Sequence, residues 1–190
     1  MSIRVKARAN TGQIFTRSEM CHLLLACLAI GITLSFPTLF NMPLIMLVIV
    51  PAFSIHELAH KFTAILYGLR ARFQIWIPGL VVTMISAILP IKLIMPGAVY
   101  LLDSPKNTEE SAHIALAGPL GNTALALLVS QIDGPLAFQI VSINLMIAIM
   151  NLFPLPPLDG WRIKSWDSRI WLLVFVTLLV AYVVFMFWRI

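Results

Sequence analysis

His56, Glu57 and His60 stand in the run His56-Glu57-Leu58-Ala59-His60. On a helix, positions i and i+4 share a face, so both imidazoles can turn toward one metal ion. Glu57 falls on the adjoining face, where it can serve as general base toward a water on that metal. The chain has only four histidines in 190 residues. With as few glutamates, this five-residue pattern arises by chance about 0.002 times per chain. The surrounding segment is apolar enough for a membrane helix. An acidic side chain there costs roughly 2.5–3.5 kcal/mol, which makes such a group a functional candidate.

A catalytic zinc site takes three protein ligands and keeps one position for water. Among the remaining candidates, His22 and His113 lie near the ends of apolar runs. Asp103, Glu109 and Glu110 share a polar loop, Asp133 sits in a turn, and Asp167 precedes the last apolar run. Asp159 stands apart because it follows an apolar, proline-rich break (Pro154, Pro156, Pro157) that lets the chain re-enter a helix bundle. Counting back from a helix end at Gly68, His60 lies roughly 12 Å and His56 roughly 18 Å deep, a layer that Asp159 can reach from the same side. His56, His60 and Asp159 are therefore the expected ligands, with one Zn2+ as cofactor and Glu57 as the catalytic base.

The elements that must position these residues are apolar helices. The chain is 60% hydrophobic and 11% charged, with a mean hydropathy of +0.95. That composition excludes an ordinary soluble domain and predicts an all-α polytopic membrane protein with five to six transmembrane helices. The spans are expected near 19–37, 43–67, 110–131, 136–153 and 169–188, behind a basic cytoplasmic arm over residues 1–18. Ser18 and Glu19 mark a helix start, Pro51 a kink in the second span, and Gly68 its stop. Arg72-Phe73-Gln74-Ile75 and Ala98-Val99-Tyr100-Leu101-Leu102 read as strands flanking an apolar run, 77–95. A short membrane-associated β hairpin is thus expected between the second and third spans.

Charge decides how 77–95 is placed. If it does not cross, Lys106, Arg162, Lys164 and Arg169 all lie on the side of the basic N-terminus, and only Arg189 falls outside. The expectation is a re-entrant segment, in a multi-pass protein of the cell membrane with a cytoplasmic N-terminus. The net charge of +5 is scattered without aromatic interleaving, so no nucleic-acid partner is expected. Cys21 and Cys27 read as small apolar helix residues. Gly118, Pro119 and Gly121 read as positions of close helix approach. Trp76, Tyr100, Trp161, Trp166, Trp171 and Trp188 read as interfacial belts.

Three stretches together resemble the site-2 protease (M50) intramembrane zinc metalloproteases: His56–His60, Asn151-Leu152-Phe153-Pro154-Leu155-Pro156-Pro157-Leu158-Asp159-Gly160, and Ala117-Gly118-Pro119-Leu120-Gly121-Asn122. Pro96-Gly97-Ala98-Val99-Tyr100 is similar to compact prokaryotic members, especially archaeal ones. The resemblance covers roughly 43–165. It implies His56, His60 and Asp159 as zinc ligands, Glu57 as the base, and a transmembrane segment of another membrane protein as substrate. Many members carry a PDZ or CBS domain, and neither is found here. A helical substrate must unwind before it is cut. The strands near 70–76 and 97–102 can hold the unwound segment by strand addition, while Asn122 and Asn151 can bond its freed backbone. Asn144 reads as bonding its own bundle. Two other readings use the same residues: a metal transporter or channel, and a non-catalytic scaffold that binds membrane helices. A nearly bare outer half argues against the first, and an intact Glu57 against the second.

Overall fold

The computed structural model describes residues 15–188. Most of the expected N-terminal arm (1–14), residues 189–190 and the side chain of Trp188 lie outside the described residues. The order is α1 Arg17–Ser35, α2 Met42–Leu66, β1 Ala71–Ile75, α3 Ile77–Ile85, a 3-10 turn Ser86–Ile88, β2 Gly97–Leu101, α4 Thr108–Val129, α5 Pro135–Asn151, α6 Asp159–Trp166 and α7 Ser168–Trp188.

Helix boundaries follow local chemistry. A capping box opens α1 at Thr16, whose side chain accepts from Glu19 N while Glu19 Oε2 accepts from Thr16 N at 2.9 Å. The start is thus earlier than the Ser18–Glu19 expected. Pro43 sits in the first turn of α2, and Pro51 lies inside that helix. Gly68, at φ +76°, takes the left-handed conformation that ends α2. Asn107 caps α4, accepting from Glu110 N at 2.8 Å.

Among the described residues, four helices are long and apolar enough to cross a membrane: Arg17–Ser35, Met42–Leu66, Thr108–Val129 and Ser168–Phe187. The chain is an α-helical membrane protein with fewer full-length spans than the five to six expected. The run expected over 136–153 is the 17-residue α5. Its length of about 26 Å falls short of a hydrocarbon core of about 30 Å. Gly134-Pro135 starts it and the turn after Asn151 stops it, before the prolines begin. It packs inside the bundle against α2 and α4. By contrast, α7 turns Leu173, Val180, Val184 and Phe187 outward, an apolar exterior suited to lipid.

β1 and β2 pair antiparallel, Ala71 opposite Leu101 and Ile75 opposite Gly97. The apolar run 77–95 therefore leaves the sheet and returns to it at the same level. It is deep nonetheless. Phe73 N donates to Glu19 near the start of α1, whereas Thr83 O accepts from Thr33 near its end at 3.2 Å. Those α1 positions are about 21 Å apart along the helix. The hairpin's turns are closed by side chains: Thr83 Oγ1 accepts from Met95 N, Ser86 Oγ from Leu93 N, and Lys92 Nζ donates to Ala87 O and Leu89 O. Non-helical backbone at that depth is stable only when satisfied in this way.

The core has two main parts. Ile30, Ile49, Phe53, Phe73, Val99 and Ile147 join α1, α2, the sheet and α5, with Cys27 among them. Ala115, Ala148, Leu152, Ile163 and Leu178 join α4 to α7. One buried ion pair ties the first part together. Lys61 Nζ, on α2 beside His60, donates to Glu19 Oε1, which also accepts from Phe73 N at 3.1 Å. Glu19→Gln would leave Lys61 buried without a counter-charge, at a cost of about 3–5 kcal/mol, and Glu19→Met with Lys61→Met should recover most of it. Denaturant unfolding in detergent measures both. A Glu19→Gln protein as stable as its parent would contradict this role.

Candidate metal centre

His56 and His60 lie one turn apart on α2, and their Nε2 atoms are 3.1 Å apart. Asp159, the first residue of α6, places Oδ2 at 3.3 Å from His56 Nε2 and 3.2 Å from His60 Nε2. All three residues are buried. Ligand atoms roughly 2.0–2.1 Å from a tetrahedral ion lie about 3.3 Å from one another, so this triangle has the size of three zinc ligands.

His60 Nδ1 faces the Ile114 carbonyl at 2.7 Å, and His56 Nδ1 faces Asn122 Oδ1 at 2.6 Å. A carbonyl oxygen only accepts, so each Nδ1 carries the proton in a neutral ring and each Nε2 presents a lone pair. The Asn122 amide cannot be flipped without loss. Its Nδ2 donates to Ala52 O and to Asn144 Oδ1, both at 2.8 Å, and Asn144 Nδ2 donates in turn to Ile140 O at 2.8 Å. Two backbone carbonyls thus set the chain Asn144, Asn122, His56. The result is two imidazole lone pairs and one carboxylate oxygen facing one another with no donor between them. Such a set fits a cation, and two histidines with one carboxylate fit zinc.

Small residues allow the helices to close on this centre. A Cβ at Gly118 would lie 2.8 Å from His56 Cε1 and would also meet the His60 ring. A Cβ at Gly121 would lie 3.1 Å from Ala59 Cβ. Pro119 lacks an N–H, so Ala115 O loses its helical donor next to the Ile114 carbonyl that holds His60. Gly160 lets the start of α6 press on the end of α5, where an added Cβ would lie 2.6 Å from Phe153 O. Trp171 Nε1 donates to Leu152 O at 2.8 Å and fixes the same junction from α7.

Glu57 is buried, and its carboxylate interacts with the Val99 backbone N–H. It shares a cavity of about 510 Å3 with His56, His60, Asp159 and Asn151. Asn122 is placed elsewhere. It is fully buried behind His56, and both its amide hydrogens are already bonded. It has no donor left for the substrate contact expected of it. Asn151 lies at the cavity wall, its Nδ2 donating to Ile147 O at 2.9 Å.

The other candidate residues stay apart from the centre. His113 Nδ1 meets the Tyr67 hydroxyl at 2.6 Å, and its ring meets Trp166 edge-on at 5.1 Å. Asp103 pairs with Arg70, whose hydrogen bonds hold the Asp103 carboxyl down at about 2. Sequence reasoning missed the bridging task of Asn144, the Ile114 carbonyl and the Trp171 donor. Asn144 does bond its own bundle, as expected, but its partner Asn122 and the Trp171 contact could not be foreseen, because contacts across 22 and 19 residues leave no local pattern.

Fold and site together define a helical membrane protein with a buried centre of two histidines and one carboxylate. The chain is 34% identical over 186 residues to the protein named "Putative zinc metalloprotease MJ0611" of Methanocaldococcus jannaschii, a match that covers 92% of this chain and 97% of that protein. The chain belongs to this zinc metalloprotease family. No protein-family model matches the chain, and no solved structure matches it significantly.

If Asn122 holds His56 in the ligating tautomer, Asn122→Ala should weaken zinc binding about 10–100-fold, and Gly118→Ala should weaken it too by displacing both rings. Competition with a zinc chelator measures this on purified protein. Unchanged affinity in Asn122→Ala would contradict the role.

Proposed function

We propose that the protein is an intramembrane zinc metalloendopeptidase of the site-2 protease (M50) type, which hydrolyses peptide bonds within or near transmembrane segments of other membrane proteins. One observation carries the reading: a buried His56, His60, Asp159 triangle of zinc-ligand size, sharing a cavity with the buried acid Glu57. In this reading the N-terminus is cytoplasmic, the site opens toward the cytoplasmic half of a cell membrane, and cleavage releases a regulator.

His56 Nε2, His60 Nε2 and Asp159 Oδ2 would hold the zinc. When bound, the ion supplies Lewis-acid polarisation of the scissile carbonyl and makes water more acidic. Glu57 takes the proton from the attacking water on its free carboxylate oxygen and delivers it to the leaving amine nitrogen. Burial of Glu57 keeps bulk water from competing for that proton.

The edge of β2 supports a way of holding an extended substrate. Trp76 N donates to Pro96 O and Leu102 N to Arg70 O, so the pairs that exchange bonds include 74 with 98 and 72 with 100. Gly97, Val99 and Leu101 then turn their N–H and C=O groups away from β1, and all three line the cavity, with the Val99 N–H already meeting Glu57. The outer edge of β1 is already taken at Phe73 by Glu19. An unwound segment adds to β2 as a third strand, with Asn151 Oδ1 accepting one further N–H.

The test is cleavage of single-span substrates by purified protein in liposomes. Glu57→Gln should lower the rate about 100-fold or more, and a chelator should abolish cleavage until zinc is restored. Equal cleavage by wild type and Glu57→Gln would overturn the proposal.

A further inference from the structure

The cavity is graded from apolar to charged. Phe53 lies one turn before His56, and Ile147 one turn before Asn151, both on the side away from the polar end of α2. Helix α6 runs in the same sense as this part of α2. It begins at Asp159 against the two histidines and ends at Trp166, which packs on His113, itself bonded to Tyr67 at the end of α2. Arg162, one turn past Asp159, therefore stands on the polar side of the metal centre, on the same helix face as that ligand.

Arg162 differs from the cations that are paired within the fold. Arg70 pairs with Asp103, Lys106 with Glu110, Lys61 with Glu19, Arg72 bonds Ser18, and Lys164 sits over the Trp171 ring. Arg162 is the one Lys or Arg among the residues lining the cavity, it is exposed there, and it has no hydrogen-bond or ion-pair partner among the described residues. With zinc in place, the ion and Asp159 sum to one positive charge, which Glu57 balances. The charge of Arg162 is then left unanswered at the exposed side of the cavity.

We propose that Arg162 is a specificity-determining residue that binds a substrate carboxylate on the polar side of the scissile bond. This rests on the protease reading and names its substrate class: an apolar segment followed by an acidic group. With a helix-face separation of about 5–6 Å between positions three apart and about 3.3 Å per residue of extended substrate, that group lies within about four residues of the cut. The planar fork of Arg162 takes the carboxylate through two parallel hydrogen bonds. The carboxylate belongs either to an Asp or Glu side chain or to the free C-terminus of a short tail.

The experiment measures binding of labelled single-span peptides to the full-length Glu57→Gln protein in nanodiscs, which does not depend on turnover. One peptide series carries Glu, Gln or Lys at each of the first four polar-side positions. A second keeps Gln and ends in a free acid or an amide. A Glu peptide should bind about tenfold tighter than its Gln partner at one position, the effect of one charge-assisted hydrogen bond. Arg162→Gln should erase that difference, Arg162→Lys should keep part of it, and Arg162→Glu should favour the Lys peptide. Preference confined to the free-acid peptide would assign the site to a chain terminus. Equal binding throughout, or a preference that survives Arg162→Gln, would overturn the proposal. An Arg162-dependent preference without cleavage by wild type would remove the protease reading and leave this site standing. Cleavage without acid preference would do the reverse.

Discussion

Three acceptors within 3.3 Å of one another, buried in an apolar bundle, repel unless a cation lies among them. That constraint organises the rest of the molecule. The lone pair of His56 points inward because Asn122 takes the opposite ring proton, and Asn122 is oriented by Asn144 and the Ala52 carbonyl. His60 is turned by a carbonyl of α4, and Asp159 is delivered by a helix that starts only after a proline-rich break. Four helices thus meet at one point, and Gly118, Gly121 and Gly160 remove the side chains that would keep them apart.

The same constraint explains why the polar groups of the hairpin are closed so fully. Backbone carried beside α1 for about 21 Å has no water to bond. Thr83, Ser86 and Lys92 satisfy its turns, and Glu19 takes the outward N–H of β1. The outward groups of β2 face the cavity instead, where the Val99 N–H meets Glu57.

What could be read from the chain was local. A four-residue spacing puts His56 and His60 on one face, apolar runs mark the long helices, Gly68 marks a stop, and alternation marks both strands. Asp159 could be singled out because an Asp-Gly after three prolines is a local signature. Helix α5 was read too long because its apolar composition runs on past Asn151, while the turn before the prolines ends it. Asn122 was expected at the substrate and lies behind His56. A buried amide on an apolar helix looks the same from sequence in either place, and only its distant partners, Ala52 and Asn144, decide. The pair Glu19–Lys61 joins residues 42 apart, and Glu19 alone reads as no more than a helix start.

The central claim is that His56, His60 and Asp159 are one zinc site. X-ray absorption at the zinc edge, with metal analysis of the purified protein, tests it most directly. The account predicts one zinc per chain, bound only by nitrogen and oxygen at about 2.0 Å with two imidazoles, and loss of that signal in Asp159→Ala. A protein without zinc, or one whose zinc signal is unchanged after both His56 and Asp159 are replaced, would contradict it.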